Sequence, residues 1–296
     1  MQFREISPAD RDRIHGVMYR ACGHGCEYSF ANLLLWGEQK VAFLSDTPLI
    51  LSHFGKRYFY QIPVTADLKP AVDALREDAR ERGIPFRIFG LKPVEVDALA
   101  RLYPGELSFY PTRDSFDYVY DIGRLAELKG KKLQSKRNHC NRFVDTYPDY
   151  QVVPLTPDRI DDCRAFTHCW YLSHAEYHDP SDYDGERLAI EKAFRHFQAL
   201  HMEGVILETT DGMMGFSMGN RIRKDTFDVN FEKALAQING AYPMVNREFA
   251  RCIRARYPEV RFLNREDDMG IEGLRRAKES YYPDILLEKW MAEEVK

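Results

Sequence analysis

Changes of hydrophobic period along the 296-residue chain spell out one order of elements and then spell it out again. That doubling constrains the fold more than any single motif, because two matching αβ units bury most apolar surface when packed on each other. In the first pass, helices are expected over 8–21 and 27–37, the first opening at Ser7-Pro8, a cap followed by proline at the first helical position. Strand-like runs follow at 41–44, 49–53 and 58–62. Leu68, Val72, Leu75 and Ala79 recur at helical spacing over 68–82, and Gly83 closes that helix. A strand at 85–89, a helix over 93–102 and strands at 107–110 and 116–121 complete the pass.

The second pass begins with a basic helix over 131–147, a strand at 150–155 and helices near 157–172 and 182–200. A strand at 204–209 turns through Asp211-Gly212, a strong hairpin signal, into a strand at 213–221. Phe227, Val229 and Phe231 alternate along a third strand at 226–231. A helix at 242–256, a strand at 260–263, a helix at 271–281 and a strand at 285–289 follow. No Pro/Gly linker separates the passes, and the join falls near 123–130. The expectation is an α/β (α+β) protein of two tandem domains, 1–125 and 126–296, each a mixed, mostly antiparallel sheet flanked by helices.

Bulk properties narrow the function. A net charge of −4 and a pI near 6.2 argue against a general nucleic-acid binder, whose affinity comes from neutralising phosphates, and no DNA partner is expected, although a local basic patch stands on the acidic body. The N-terminus carries acidic residues and no apolar core, and the longest apolar runs are strand-sized, so neither a signal peptide nor an integral membrane segment is expected. Six Cys suit a reducing compartment, and the expected location is the cytoplasm.

Chemistry concentrates in the second pass. The loop Gln237-Ile-Asn-Gly240-Ala-Tyr242 feeds a helix N-terminus, where unpaired N–H groups and the positive dipole end suit a pyrophosphate or carboxylate. A tight strand-to-helix turn accounts for the same residues. Asn264, Arg265, Glu266, Asp267 and Asp268 follow a strand, where an open αβ sheet binds ligands; they suit an ammonium group, a metal or deprotonation of an amine, or else an acidic helix cap. Glu232 and Lys233 end the neighbouring strand and are expected to face the same crevice, with Glu232 as general base or as partner of an internal ion pair. The basic run 129–142 leaves Lys132, Lys136 and Arg137 outside its apolar stripe, to hold a phosphorylated partner or simply to face solvent. Cys22, His24 and Cys26 lack a second pair at zinc spacing, and His174-Ala-Glu-Tyr-His178 lacks the zincin order, so no metal site is expected. The first-pass loop 61–67 has no glycine and is expected to form one cleft wall, with Tyr28, Asn32 and Trp36 nearby.

The segment 226–256 resembles the GNAT acyltransferases. Gln237 and Gly240 match their phosphate loop, Tyr242 stands where they have Gly or Ala, Asn264 ends the next strand, and Ala277-Lys-Glu-Ser-Tyr281 is similar to their last helix. Over the whole chain, Cys26-Glu-Tyr-Ser-Phe-Ala-Asn32, Trp36, Lys136-Arg137-Asn138-His139, Phe231-Glu232-Lys233-Ala234, Gly240-Ala-Tyr242 and Asn264-Arg-Glu-Asp-Asp268 through Gly273, Lys278 and Tyr281 resemble an uncharacterised bacterial family. That family is grouped with the C-terminal domain of phosphatidylglycerol lysyltransferases and is similar to the Fem peptidyltransferases. The resemblance implies two GNAT-like halves, the first degenerate, and transfer of an activated acyl group to an amine or a peptidyl or lipid acceptor. It implies Glu232, Asn264 and Tyr281 as catalytic, Tyr281 protonating the leaving group. It implies binding by Lys136, Arg137, Asn138, Lys233, Gln237, Gly240, Tyr242, Arg265, Glu266, Asp268 and Lys278, with Tyr28, Asn32 and Trp36 across the cleft. Aminoacyl-tRNA is the donor the Fem likeness implies; acetyl-CoA or another acyl-CoA is the alternative, and a non-catalytic binding module is the third reading.

Overall fold

The computed structural model of the chain describes residues 1–21, 23–62, 68–174 and 184–295. The first pass gives β1 (Arg4–Glu5), α1 (Arg11–Ala21), α2 (Phe30–Leu35), β2 (Glu38–Leu44), β3 (Thr47–Phe54), β4 (Arg57–Gln61) and α3 (Leu68–Arg82). It continues with β5 (Arg87–Leu91), α4 (Pro93–Leu102), β6 (Leu107–Pro111), β7 (Asp117–Asp121) and α5 (Ile122–Glu127). The second gives α6 (Gln134–Thr146), β8 (Gln151–Pro154), α7 (Ile160–His174), α8 (Asp184–Arg195), β9 (Glu203–Thr209), β10 (Gly212–Arg223) and β11 (Thr226–Ala234). It closes with α9 (Ala241–Arg256), β12 (Phe262–Asn264), α10 (Glu272–Glu279), β13 (Ile285–Leu287) and β14 (Trp290–Glu294).

These strands make two mixed seven-stranded sheets of matching plan, β1-β2-β3-β4-β5-β14-β6 and β8-β9-β10-β11-β12-β7-β13. The sixth place in each is filled by the other pass. β7 lies between β12 and β13, and β14 lies between β5 and β6, both antiparallel to their neighbours. The reciprocal exchange interlocks the sheets across the expected join at 123–130, which itself folds as helix α5, capped by the Asp121 carboxylate on Arg124 N–H.

Among the described residues, three apolar cores follow from the residue patterns. Val72, Leu75 and Ala79 of α3 bury one stripe against Tyr60 and Ile88 of the first sheet. Met244, Val245, Phe249 and Ile253 of α9 cover one face of the second sheet at Phe227, Val229 and Leu263. A middle core joins the other face of that sheet, at Ile206, Phe216 and Phe231, to α1, α2 and α8. Phe231 thus faces away from Phe227 and Val229, which the simple alternation does not foresee. The cause is a bulge: Met218 opposes Phe231 while Asn220 opposes Asp228, so β11 carries one extra residue and its later side chains change face. Gly219 permits this, because a Cβ there would overlap the Asp228 carbonyl oxygen.

Candidate active site

β11 and β12 run parallel for three residues only, Thr226–Asp228 against Phe262–Asn264. Beyond that point the bulge carries β11 away, and the chain leaves β12 through Glu266, whose φ of 57° lies in the left-handed region. Asn264 holds this turn. Its Oδ1 accepts from Glu266 N–H at 2.6 Å, while its Nδ2 donates to His24 O at 2.6 Å and to an Asp117 carboxylate oxygen at 2.8 Å. The strands therefore splay, and two polar rungs cross the gap on opposite faces of the sheet. On the middle-core face Asn230 Nδ2 donates to Glu266 Oε1 at 3.1 Å; on the α9 face Arg265 Nη2 donates to Glu232 Oε1 at 2.8 Å.

The middle-core face is acidic. Asn32 Nδ2 reaches Glu266 Oε1 at 2.9 Å and Asp228 Oδ2 at 3.3 Å, and Asn230 Nδ2 reaches the same two carboxylates at 3.1 Å each. Two amide groups thus serve both acids, while Asp228 Oδ1 and Asn230 Oδ1 are buried with no partner among the described residues. Burial first, then the neighbouring Glu266 charge, pushes the Asp228 carboxyl well above its usual range. Burial also raises Glu266 to about 7, against the opposing hydrogen bond from Asn32, and raises Asp267 to about 6. A cavity of about 330 Å³ opens here, with Glu27, Asn32, Glu266 and Asp267 at its acidic wall. Below it Lys289 Nζ lies 2.7 Å from both Glu27 and Asp117 and 3.3 Å from Cys26 Sγ. Burial disfavours this ammonium, but Asp117, Cys26 and Glu27 outweigh the cost and hold it well above its ordinary pKa. Cys26, Glu27 and Asp117 offer ligand atoms within 4.8 Å of one another, at metal-like spacing; the ammonium of Lys289 lies among them.

The α9 face is basic. Glu232 is held on both oxygens, by Arg265 and by Asn246 Nδ2 at 3.0 Å. Arg265 lies 4.9 Å from the ring centroid of Tyr281 and Lys136 Nζ lies 4.3 Å from the same ring, while Arg265 Nη1 is buried without a hydrogen-bond partner among the described residues. Burial keeps the Tyr281 hydroxyl protonated, and burial plus Arg265 lowers Lys136. A second pocket of about 380 Å³ adjoins this set, lined by Lys136, His139, Gln237, Asn239, Gly240 and Tyr242. Gly240, at φ 90°, lets α6 approach, since a Cβ would overlap the His139 carbonyl oxygen. In the first turn of α9, Ala241 N–H turns back to Ile238 O and Pro243 has no N–H. The row of amide donors expected for a pyrophosphate is thus broken, and the fit to coenzyme A is poor.

Of the residues singled out in sequence, the structure brings Glu232, Arg265, Tyr281, Lys136, Gln237, Gly240 and Tyr242 together on the α9 face, and Asn32, Trp36 and Glu266 around the cavity. Several expectations are corrected. Lys233 faces away from Glu232, because successive strand residues alternate; it pairs with Glu186 at 2.7 Å under the Trp170 ring. Asp268 is consumed by Arg275, Arg113 and Tyr118. Lys278 donates to the Arg265 and Asp267 carbonyls, fixing the loop, and Arg137 caps Leu128 O at 2.5 Å. Asn138 is exposed on α6, and Tyr28 is buried under Lys92. Most of the 61–67 loop and of His174–His178, like Cys22, lies outside the described residues. Glu27, Asp117, Asp228, Asn230 and Lys289 were missed. Asp228 and Asn230 alternate with Phe227, Val229 and Phe231, a pattern that equally suits a solvent-facing side, and Lys289 meets Glu27 only through the strand exchange.

Both sheets follow one strand plan with a splayed parallel pair, so the chain is a tandem GNAT-type transferase fold. A tandem GNAT protein from the clavulanic acid biosynthesis pathway shares it at a TM-score of 0.50 and 11% identity, over 99% of this chain and 98% of that one. Residues 22–293 match the family described as phosphatidylglycerol lysyltransferase, C-terminal, and the chain belongs to that family. A conserved protein of unknown function from Bacteroides thetaiotaomicron VPI-5482 is 38% identical over 100% of both chains, at a TM-score of 0.91. The C-terminal domain of a protein assigned as a lysylphosphatidylglycerol synthetase from Agrobacterium fabrum is 15% identical at a TM-score of 0.69, covering 98% of this chain and 93% of that one. An uncharacterized protein from Mycoplasmoides gallisepticum is 26% identical over 188 residues, 60% of this chain and only 56% of that relative's length. Among the described residues no helix is long and apolar enough to cross a membrane.

Proposed function

We propose that this protein transfers an activated aminoacyl or acyl group to a primary amine, the two substrates meeting in the gap between β11 and β12. One observation carries the reading: an acidic set and a basic set flank the same gap on opposite faces of one sheet, bridged by Asn230–Glu266 and Arg265–Glu232. The acidic cavity suits an ammonium group, and the basic pocket suits an anionic donor.

The acceptor enters as an ammonium and gives a proton to Glu266, whose pKa near 7 lets it accept one at neutral pH. The free amine attacks the carbonyl carbon in the gap. A C–N bond forms, the bond to the donor oxygen or sulfur breaks, and the leaving group takes its proton from the Tyr281 hydroxyl; the proton that the new amide nitrogen sheds passes to solvent, from which Tyr281 regains its own. Glu266 replaces Glu232 as the base, since both Glu232 oxygens are already engaged. Asn264 and Lys278 act as positioning residues through the backbone around Glu266.

For the donor, the broken amide row at α9 favours an ester-linked aminoacyl group on a nucleic acid over a coenzyme A thioester. Lys136 and His139 line the pocket, and exposed Lys129, Lys131, Lys132 and Arg142 lie along the same segment. The test is amine-dependent consumption of aminoacyl-tRNA or acyl-CoA. Turnover with aminoacyl-tRNA, reduced at least 10²-fold in a folded Glu266→Gln variant, is expected. Turnover with acyl-CoA alone would reverse the donor assignment. Amine binding without turnover on either donor would make the chain a binding module.

A further inference from the structure

The cavity on the acidic face specifies more than a positive charge. Its far wall is aromatic: Phe54, Phe59 and Phe89 come from adjacent strands β3, β4 and β5 of the first sheet, and Trp36 follows α2. Phe59 stacks on Phe54 at 5.7 Å between ring centroids and tilts against Phe89 at 5.1 Å, so the wall is a continuous ring surface. No Lys or Arg lines the cavity among the described residues. The charges are distributed unevenly. Glu27 is neutralised by Lys289, whereas Glu266 has no salt-bridge partner among the described residues and receives only amide donors. At the aromatic wall the polar groups are amides. Gln39 spends both ends, on Trp36 O and Ser52, and Gln61 Oε1 is a buried acceptor with no partner among the described residues.

Resting on the reading of this cavity as the amine site, we propose that the acceptor is a monocationic arylalkylamine, with its ammonium at Glu266 and its ring against Phe59 and Trp36. A ring desolvated on this wall gains apolar burial and face contact, and an ammonium beside the rings gains cation–π attraction. A second ammonium carried to the aromatic wall, as in a lysyl group, would meet no carboxylate among the lining residues and would exchange its water for ring faces and one amide oxygen, Gln61 Oε1, which does not match the hydration of a full charge. A carboxylate next to the amine, as in a free amino acid, would be repelled by Glu266 and Asp267. About 330 Å³ is ample for a single ring with a short amine arm.

The test is calorimetric titration of the full chain with phenethylamine, 2-phenylethanol and lysine amide. Phenethylamine is expected to bind at least tenfold tighter than either of the others, and at least tenfold weaker to Glu266→Gln and to Phe59→Ala. Lysine amide binding more tightly than phenethylamine overturns the arylalkylamine assignment and leaves the amine site standing. Binding of neither amine, or equal binding of 2-phenylethanol and phenethylamine, overturns the amine site itself. These comparisons on the unmodified protein decide the matter even if a variant fails to fold.

Discussion

Glu266→Gln should make the protein more stable and less active, and the size of the first effect follows from the site. The carboxyl is buried between Asn32 and Asn230 with no salt-bridge partner among the described residues, and its burial outweighs the Asn32 hydrogen bond and the Lys278 charge, which raises it from 4.5 to about 7. Between those two values the folded protein binds a proton that the unfolded chain has lost. Stability contributed by this group is therefore fully present below pH 4.5 and is lost as pH rises through about 7. The interval of about 2.5 units corresponds to about 3 kcal/mol at 1.36 kcal/mol per unit. Glutamine keeps the shape and the acceptor oxygen without the charge. Urea unfolding at pH 8 should accordingly show the variant more stable by about 1–3 kcal/mol, the low end allowing for relaxation around the charge. The difference should close towards pH 4.5, while transfer to amines is lost. A variant that matches the wild-type stability at pH 8, or that unfolds with the same pH dependence, refutes the claim that burial of this carboxylate outweighs its partners.

The same physics gives further outcomes. Lys289→Met strands Glu27 and Asp117 as buried charges and should cost about 3–5 kcal/mol in chemical unfolding, with wild-type stability refuting the pairing. Gly240→Ala should lose about 1–3 kcal/mol, because the backbone there is left-handed and the His139 carbonyl leaves no room; an unchanged thermal midpoint would show that α6 is not seated against the loop. Tyr281→Phe should slow turnover while leaving amine affinity within twofold by calorimetry, since the hydroxyl is on the opposite face from the cavity. Residues 1–125 expressed alone should fail to give the cooperative unfolding of the full chain, because β5 and β6 lose the strand between them.

The repeated order of elements was legible because it rests on periodicity, which single sequences carry well: the helix expected over 93–102 is α4, Pro93–Leu102, and that over 68–82 is α3, Leu68–Arg82. Of the residues that carried the family resemblance, Glu232, Arg265 and Glu266 border the strand gap, whereas Lys233, Asp268 and Asn138 lie away from it. Two things were beyond reach. A bulge has no signature in alternation, so Phe231 was read on the wrong face, although Gly219 opposite it was the one hint. The exchange of β7 and β14 is a long-range pairing, and a strand of Trp290–Glu294 composition looks like an acidic tail until its neighbours are known. The cavity inherits both blind spots. Its acids come from α2's flank and the loop after β12, and Asn230 of β11 and Lys289 beside β14 reach them only when those two irregularities are in place.

Carbon-13 titration of the Glu266 carboxyl tests the central claim without requiring the donor to be known. The account gives a midpoint near 7 that moves downward when a primary amine is added, because an ammonium in the cavity favours the ionised form. A midpoint near the ordinary 4.5, indifferent to added amine, would contradict it.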